Sequence, residues 1–366
     1  MKLRSIAFKL HRYIGVMVGL LLLIIGLTGS ALVFWHEIDY SQNLHLRTVT
    51  PQGERISLES AAKIVRSAYP NLQLSLIELP RKPEETYILS MTSKDDKSID
   101  VYVHPYTGKI LGSGEWGRTL MTFIYNIHIT LLAGEVGDFV VGVCGILLLL
   151  LGITGLILWT GWRRLATGFR IRWKSPTRLV NYDIHQVSGI VTSALLILVA
   201  FTGAAMIFYE QFESGVYALS NTPKPEEPKS TIVANQPRLA IDAVVQKANA
   251  ALPEGEVTYI TIPDKPDEAF MVAGKLPQEV IRYGRSAVYL DSYSGAVLRV
   301  DDSRKLPGAT KIVNAMFPLH IGAYGGVWMR ILYIFIGIAP AVLAVTGFAI
   351  WWSKTYGAKH SRREMS

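Results

Sequence analysis

The sequence predicts a membrane α-helical bundle of four transmembrane helices, formed by internal duplication and joined to two α+β domains outside the membrane. Three observations support this fold class. Four long apolar runs divide the chain, short histidine-containing motifs recur at constant offsets, and two polar segments with strand-like alternation separate the runs.

The four apolar runs are long enough to cross a bilayer. Each has about the 20 residues that a transmembrane helix needs, and they occupy residues 14–35, 139–159, 189–208 and 329–352. The division that we infer is a first transmembrane helix at 1–35, a first outer domain at 36–118, an interfacial segment and second transmembrane helix at 119–160, a cytoplasmic loop at 161–187, a third transmembrane helix at 188–209, a second outer domain at 210–308, an interfacial segment and fourth transmembrane helix at 309–352, and a cytoplasmic tail at 353–366.

The distribution of charge predicts the orientation of these helices. The chain has 37 Lys and Arg residues against 29 Asp and Glu, a net charge of +8. Fourteen of the basic residues lie within 1–13, 161–187 and 353–366, and by the positive-inside rule this distribution predicts that both termini are cytoplasmic. The excess positive charge therefore indicates membrane orientation and contact with anionic lipid, and we expect no nucleic-acid partner.

Several classes of chemistry are excluded by what the chain lacks. Cys144 is the only cysteine and lies in the second apolar run, so disulfides and cysteine-ligated iron–sulfur clusters are not expected. There is no Gly-x-Gly-x-x-Gly after a predicted strand, no Walker loop and no His-Glu-x-x-His zinc motif. No side chain is singled out as a catalytic acid, base or nucleophile.

The repeated motifs carry four histidines. His11 and His185 open the first and third apolar runs at an offset of 174 residues, and His128 and His320 precede the second and fourth runs at an offset of 192. Thr-Gly pairs recur at the same two offsets, and they begin at Thr28, Thr154, Thr202 and Thr346.

Symmetry between the two copies predicts that these histidines meet in pairs. His11 and His185 would lie at the cytoplasmic edge, and His128 and His320 at the outer edge. Imidazoles on facing helices hold a haem iron from both sides, so we predict that all four are ligands of haem iron. The alternative is that the histidines are polar anchors at the membrane surface.

Other residues are candidates for contact with the same group. Gly15 and Gly189 lie four residues after a histidine and would let a flat macrocycle approach the backbone, and Arg12 and Arg178 could pair with haem propionates. His36 ends the first run and is a candidate substitute for an outer ligand. The remaining histidines have no histidine in the repeat: His45, His104 and His360.

The outer segments repeat as well. Residues 79–85 align with 262–268, and residues 101–108 align with 288–295. The Tyr-x-Gly motifs that end at Gly108 and Gly295 predict hairpin turns in which glycine takes a positive φ. The periodicity predicts helices at 57–67 and 238–250, strands at 85–91, 98–103 and 287–300, and a flexible connector at 221–229.

Together, these motifs resemble the PepSY-associated transmembrane family, which includes iron-regulated inner-membrane proteins and ferric-siderophore reductases. The resemblance covers nearly the whole chain and rests on the histidine motifs, the Thr-Gly pairs and the outer strands, which resemble PepSY domains. It implies two haem b groups in the bundle and reduction of chelated ferric iron in the periplasm. Pro340 in the fourth run has no counterpart in the second, and we expect it to kink that helix.

The leading hypothesis is therefore a haem-dependent oxidoreductase that passes electrons across the inner membrane to a periplasmic ferric siderophore and releases Fe(II). Because the chain has no nicotinamide or flavin motif, the electron donor would be a cytoplasmic protein or a membrane quinol. Two alternatives remain open. One is a non-enzymatic PepSY scaffold or peptidase regulator, and the other is a divalent-metal permease that uses the four histidines as an ion path.

Overall fold

The computed structural model describes residues 2–95, 97–233 and 235–355, and these residues form two compact units. The first, which we call the helical unit, comprises residues 2–35, 124–213 and 315–355. The second, the sheet domain, comprises residues 36–123 and 214–314 apart from the two gaps. His360 and most of the predicted tail at 353–366 lie outside the described residues.

The helices follow one another in the order α1 (Lys2–Leu32), α2 (Trp35–Gln42), α3 (Leu44–Arg47), α4 (Leu58–Ala68), α5 (Leu120–Thr130), α6 (Gly134–Leu158), α7 (Leu165–Gly168), α8 (Thr177–Ile207), α9 (Tyr209–Leu219), α10 (Ile241–Ala251), α11 (Gly308–His320) and α12 (Gly326–Thr355). The strands are β1 (Gln73–Glu78), β2 (Tyr87–Thr92), β3 (Ser98–Val103), β4 (Ile110–Glu115), β5 (Glu256–Thr261), β6 (Phe270–Lys275), β7 (Ser286–Leu290) and β8 (Val297–Asp301).

Among the described residues, four helical segments are long and apolar enough to cross a membrane: Lys2–Leu32, Gly134–Trp162, Thr177–Ile207 and Ala323–Thr355. The predicted apolar runs fall on these segments, and the protein is a membrane protein. In the bundle, α1 packs against α6 and α12, and α8 packs against the same two helices. Helices α1 and α8, which carry His11 and His185, therefore lie on one diagonal of the bundle.

Small residues allow α1 and α12 to pack closely. A side chain on Gly26 would lie 2.5 Å from the carbonyl oxygen of Gly337, and one on Gly337 would lie 2.3 Å from Ser30 Oγ. Ser30 Oγ also donates a hydrogen bond of 2.7 Å to the carbonyl of Ile334. Such contacts between small residues are a main source of helix association in lipid. Helix α12 continues through Pro340, so the kink expected there stays a prediction.

Within the described residues, the sheet domain holds one antiparallel eight-stranded sheet with the strand order β4-β3-β2-β1-β5-β6-β7-β8. Helices α4 and α10 supply Val65 and Val244 to a core with the side chains of one sheet face, such as Leu89 and Leu290. The two predicted outer segments thus share a single sheet, because β1 pairs directly with β5, Ile77 opposite Ile260. The repeats in the sequence predict two separate outer domains, without this pairing.

The predicted local elements correspond well to those in the structure. The helix expected at 57–67 is α4, the strand expected at 98–103 is β3, and the strand expected at 287–300 is the hairpin of β7 and β8. Gly108 and Gly295 have φ angles of +73° and +66°, the left-handed conformation that their turns require.

The two halves of the sheet domain also cap each other's helices. Asp242 in the first turn of α10 accepts hydrogen bonds from the backbone N–H groups of Leu58 (2.9 Å) and Glu59 (3.0 Å) in α4. In return, Glu59 accepts a 3.0 Å hydrogen bond from the N–H of Ile241 in α10. Carboxylates at helix N-termini satisfy free N–H groups and interact favourably with the helix dipole, so these caps strengthen the contact between the halves.

We expect Asp242→Ala to lower the local stability of α4 and α10 by about 1–2 kcal/mol, because two N–H groups lose their acceptor. Hydrogen exchange of peptides from α4 and α10 in the full-length protein would measure the effect. Asp242→Asn keeps one oxygen acceptor and should lose roughly half as much protection. Unchanged exchange in Asp242→Ala would show that these caps contribute nothing.

Candidate cofactor sites in the helical unit

His11 and His185 meet inside the helical unit. His11 lies on α1 and His185 on α8, and their ring centroids are 6.1 Å apart with the ring planes at 89°. We call these two residues the inner pair. The symmetry of the sequence motifs predicts this pairing, and the structure brings the two rings together.

His128 and His320 form a second pair, which we call the outer pair. They lie in the last turns of the short helices α5 and α11, and their ring centroids are 6.3 Å apart with the planes at 53°. The chain bends directly after each helix. Leu131 and Leu132 after α5 have φ angles of +49° and +61°, and non-glycine residues in this region carry backbone strain that often accompanies functional sites.

Each histidine is held by a threonine on a neighbouring helix. His11 Nδ1 lies 2.9 Å from Thr154 Oγ1, and His185 Nδ1 lies 3.0 Å from Thr346 Oγ1. The outer pair repeats this arrangement, with His128 Nδ1 3.2 Å from Thr28 Oγ1 and His320 Nδ1 3.1 Å from Thr202 Oγ1. The Thr-Gly pairs noted in the sequence are therefore the partners of the histidines.

The glycine after each threonine leaves room for the imidazole ring. A side chain on Gly29 or Gly203 would lie 2.9 Å from Cε1 of the outer histidines, and one on Gly155 or Gly347 would lie 3.4 or 3.2 Å from Cε1 of the inner histidines. Each Thr-Gly pair thus supplies a hydrogen-bonding hydroxyl and an open backbone surface to one ring.

The hydrogen bonds determine which ring nitrogen carries the proton. Each of the four threonine hydroxyls donates to the carbonyl four residues earlier, as Thr154 Oγ1 does to Leu150 O at 2.7 Å. Its oxygen can then only accept from the histidine, so Nδ1 is the protonated nitrogen. Among the described residues, the hydrogen bonds of all four rings are formed through Nδ1, which leaves the lone pair of Nε2 for a metal.

The spacing within each pair fits an iron atom between two imidazoles. A bond between a metal ion and an imidazole nitrogen is about 2.0–2.1 Å long, so two such bonds take up roughly 4 Å. The ring centroids are 6.1 Å apart in the inner pair and 6.3 Å apart in the outer pair. After the two metal–nitrogen bonds are subtracted, the remaining distance is about the sum of two imidazole ring radii. Within the described parts of the chain, no group of three or more His, Cys, Asp or Glu side chains could hold a metal ion, so each pair offers two donors only.

A cavity of about 1000 Å³ adjoins the inner pair. Its volume lies at the upper end of the range of about 300–1,000 Å³ that is typical of cofactor sites. The wall includes both inner histidines together with Gly15, Gly189 and Gly347. A flat macrocycle with the two histidines on opposite faces is therefore compatible with the shape and donors of this site.

Basic side chains line the same cavity. Arg12 is one of them, as the sequence analysis predicts, and Arg4 and Lys354 are two more that it does not single out. Arg178 is not among the lining residues, so its role as a partner of a propionate stays a prediction. Arg4 Nη2 donates to the carbonyl of Leu158 at 2.9 Å, close to where α6 ends.

The three described histidines that have no histidine counterpart in the repeat lie in the sheet domain. The ring of His36 packs 5.8 Å from that of Tyr283, and burial lowers its pKa to about 4, aided by the positive charge of Arg282. His104 Nδ1 accepts a 3.2 Å hydrogen bond from the N–H of Tyr106, and His45 is exposed. Since His128 and His320 face each other, the outer pair is complete without His36.

The sheet domain has a polar cluster of its own on the face turned away from α4 and α10. Ser90 Oγ donates a 2.6 Å hydrogen bond to Asp100, Arg47 lies over the ring of Tyr102, and the Tyr283 hydroxyl donates to Glu78 at 3.3 Å. Burial raises the pKa of Glu78, and it raises the pKa of Tyr102 to about 12. This face combines aromatic rings with charges of both signs.

The helical unit thus contains two histidine pairs among four helices that are long and apolar enough to cross a membrane. The chain belongs to the family of the PepSY-associated TM region, whose model matches residues 8–354. The family resemblance of the sequence motifs is confirmed. The chain is also similar to an uncharacterized protein of Pseudomonas aeruginosa, with 24% identity over 269 residues, and the alignment covers 66% of each chain.

If the outer pair ligates a haem, we expect Gly203→Ala to loosen it, because the new methyl would lie 2.9 Å from the His320 ring and push Nδ1 away from Thr202. The measurement is bound haem per chain, determined from the absorption spectrum. The matched inner variant Gly155→Ala has more room, 3.4 Å, and should have a smaller effect. Full retention of haem by Gly203→Ala, with an unchanged spectrum, would contradict this account of the glycines.

Proposed function

We propose that this protein is an inner-membrane reductase with two haem b groups, which carries electrons across the membrane and reduces ferric iron in a periplasmic siderophore. The observation that supports it best is the geometry of the two histidine pairs. In each pair, Nδ1 is tied to a threonine, and the rings lie at a separation that suits iron between two Nε2 atoms.

The number of donors favours haem over a bare metal ion. A structural zinc site needs four protein ligands, and a catalytic one needs three, whereas each pair supplies two. A haem iron needs only two ligands from the protein, so each histidine pair could hold one, and the haem would supply one-electron Fe(III)/Fe(II) chemistry. This comparison makes a divalent-metal permease the weaker proposal.

The spacing along the helices suits transfer across a bilayer. On α8, His185 of the inner pair and Thr202, the partner of the outer pair, are 17 residues apart. At about 1.5 Å per residue the two layers are roughly 25 Å apart, compared with a hydrocarbon core of about 30 Å. Each layer would lie near one face of the membrane, and the apolar helices between them exclude water.

The charge distribution supports the direction of transfer. The basic segments 1–13 and 161–187 adjoin the inner pair in sequence, so the positive-inside rule places that pair at the cytoplasmic face. The sheet domain would then be periplasmic, and the electron donor a cytoplasmic protein or a membrane quinol. The equivalent His–Thr contacts and the mirror-like strand order support an origin by duplication, with two PepSY-like halves in the sheet domain.

The chemistry of the substrate explains why reduction releases iron. Siderophores hold Fe(III) through hard oxygen donors, and each iron that takes one electron becomes Fe(II), which these donors hold less tightly. We place the docking surface on the sheet domain, which lies outside the membrane in this proposal. A purely regulatory role would need neither histidine pair.

Purified protein is expected to contain about two low-spin haem b groups per chain, visible as a sharp Soret band and resolved α and β bands after reduction. His11→Ala or His185→Ala should remove or loosen one haem, and His128→Ala or His320→Ala the other, because each pair forms a separate site. A colourless preparation from haem-replete cells would exclude the reductase and favour a scaffold. Loss of the same haem in His11→Ala and His128→Ala would show that the pairing is wrong.

With dithionite-reduced protein in detergent, we expect a ferric hydroxamate to reoxidise the haem and yield Fe(II) that a ferrous chelator traps. The rate should fall when the outer pair is lost in His128→Ala, because that layer lies at the periplasmic face in our proposal.

A further inference from the structure

We infer that Arg4 and Lys354 form a carboxylate-binding pair at one end of the cavity beside the inner histidines, which we call the inner cavity. The pair holds the two carboxylates of the inner haem and sets which edge of the macrocycle faces the cytoplasm. This inference rests on the proposed haem function, and it assigns a role to two residues that do not touch the iron.

The wall of the inner cavity carries positive charge without a counter-charge. Arg4, Arg12 and Lys354 line it, and no Asp or Glu is among the lining residues in the described part of the chain. Charges within a membrane protein are costly unless they have a partner of opposite sign, so this wall favours an anionic ligand. Arg12 lies 4.8 Å from the ring centre of Tyr13, which is exposed and is not part of the wall. Arg4 and Lys354 are therefore the stronger candidates.

These two cations lie on either side of one aromatic ring. Lys354 Nζ of α12 is 5.5 Å from the centre of the Phe8 ring, and Phe8 follows Arg4 by one turn on the same face of α1. Arg4 Nη2 donates to the carbonyl of Leu158 in the last turn of α6. Since the partners of both cations are neutral, each has donors left for a carboxylate.

Both cations lie at a similar distance from the inner histidines. Arg4 precedes His11 by seven residues on α1. Lys354 follows Gly347 by seven residues on α12, and Gly347 faces the His185 ring. Seven residues are about two helical turns, or roughly 10 Å along the axis on one face of the helix. In the proposed topology, both cations lie on the cytoplasmic side of the histidines.

The inner histidines determine how a macrocycle stands between them. Helices α1 and α8 lie on one diagonal of the bundle, and a haem iron takes its two axial ligands from opposite faces of the macrocycle. The plane of the macrocycle would therefore run along the helix axes, with one edge towards the cytoplasm. On the other side of the histidines the wall is small or apolar, as at Gly19 and Leu196, so the carboxylates fit only the end with the cations.

The repeat supplies a matched comparison for each cation. Arg178 is the counterpart of Arg4 at the offset of 174 residues, and Trp162 is the counterpart of Lys354 at the offset of 192. Neither counterpart is among the described residues that line the inner cavity. The two copies thus differ at this position, and only the pair from α1 and α12 is placed to bind a carboxylate.

The test is reconstitution of the full-length protein, produced without haem, with haemin or with haemin dimethyl ester, in which both carboxylates are blocked. A His128→Ala background leaves the inner pair as the one complete pair, and absorption titrations give the affinities. We expect Arg4→Gln and Lys354→Gln each to weaken haemin binding about tenfold, since each removes a charge-assisted hydrogen bond. Binding of the ester should not change. Arg4→Lys and Lys354→Arg should retain most of the haemin affinity, and the control Arg178→Gln should alter neither affinity.

The ester separates the role of the carboxylates from the stability of the fold. If Arg4→Gln and Lys354→Gln weaken the ester as much as haemin, the inference is overturned, because these residues would then support only the fold. Unchanged haemin binding in both variants would also overturn it and would assign the cations to anionic lipid at the membrane surface. Either result leaves the proposed function intact. Failure of the wild-type protein to bind haemin or its ester would overturn both.

The orientation has a test of its own. In oriented membranes that contain the His128→Ala protein with bound haemin, polarised absorption should place the macrocycle plane along the membrane normal. A plane parallel to the membrane would contradict the inferred position of the carboxylates.

Discussion

The hydrogen bond between a histidine Nδ1 and a threonine hydroxyl on another helix is the contact on which the helical unit depends. It joins α1 to α6 through His11 and Thr154, and α8 to α12 through His185 and Thr346. Each bond fixes a ring orientation and a tautomer at once. It also requires two helices to approach closely, which is why glycine follows each of these threonines and why the packing between helices relies on small residues.

The sequence predicts the histidine pairs because identical residue types recur at constant offsets, and two copies of one unit place equivalent residues opposite each other. It does not predict which threonine serves which histidine. His11 belongs to the first repeat motif of its copy and Thr154 to the second, so the contact crosses two motifs with different offsets. Periodicity detects that Thr-Gly recurs, but only the relative rotation and depth of neighbouring helices bring its hydroxyl to a ring.

The sheet domain shows the same limit. Alternation of apolar residues locates α4 and β3 because these are local properties of the chain. The pairing of Ile77 with Ile260 is not local, since the two residues are 183 positions apart and the chain between them forms two of the membrane-spanning helices. The reciprocal caps of Asp242 and Glu59 follow from that pairing, and neither carboxylate differs in the sequence from an ordinary acidic residue in a first helical turn.

The β1–β5 pairing has a consequence for how the protein is made. Strand β1 is complete at Glu78, but its partner ends at Thr261, and at roughly 5–20 residues per second the ribosome needs about 10–40 s to reach it. During that interval one edge of β1, with Leu76 and Ile77, has no strand beside it, and an unpaired apolar edge is a site for wrong association. The first half of the sheet therefore keeps an unpaired edge until the second half has been synthesised. Conditions that slow translation between the two halves should increase aggregation of the nascent chain.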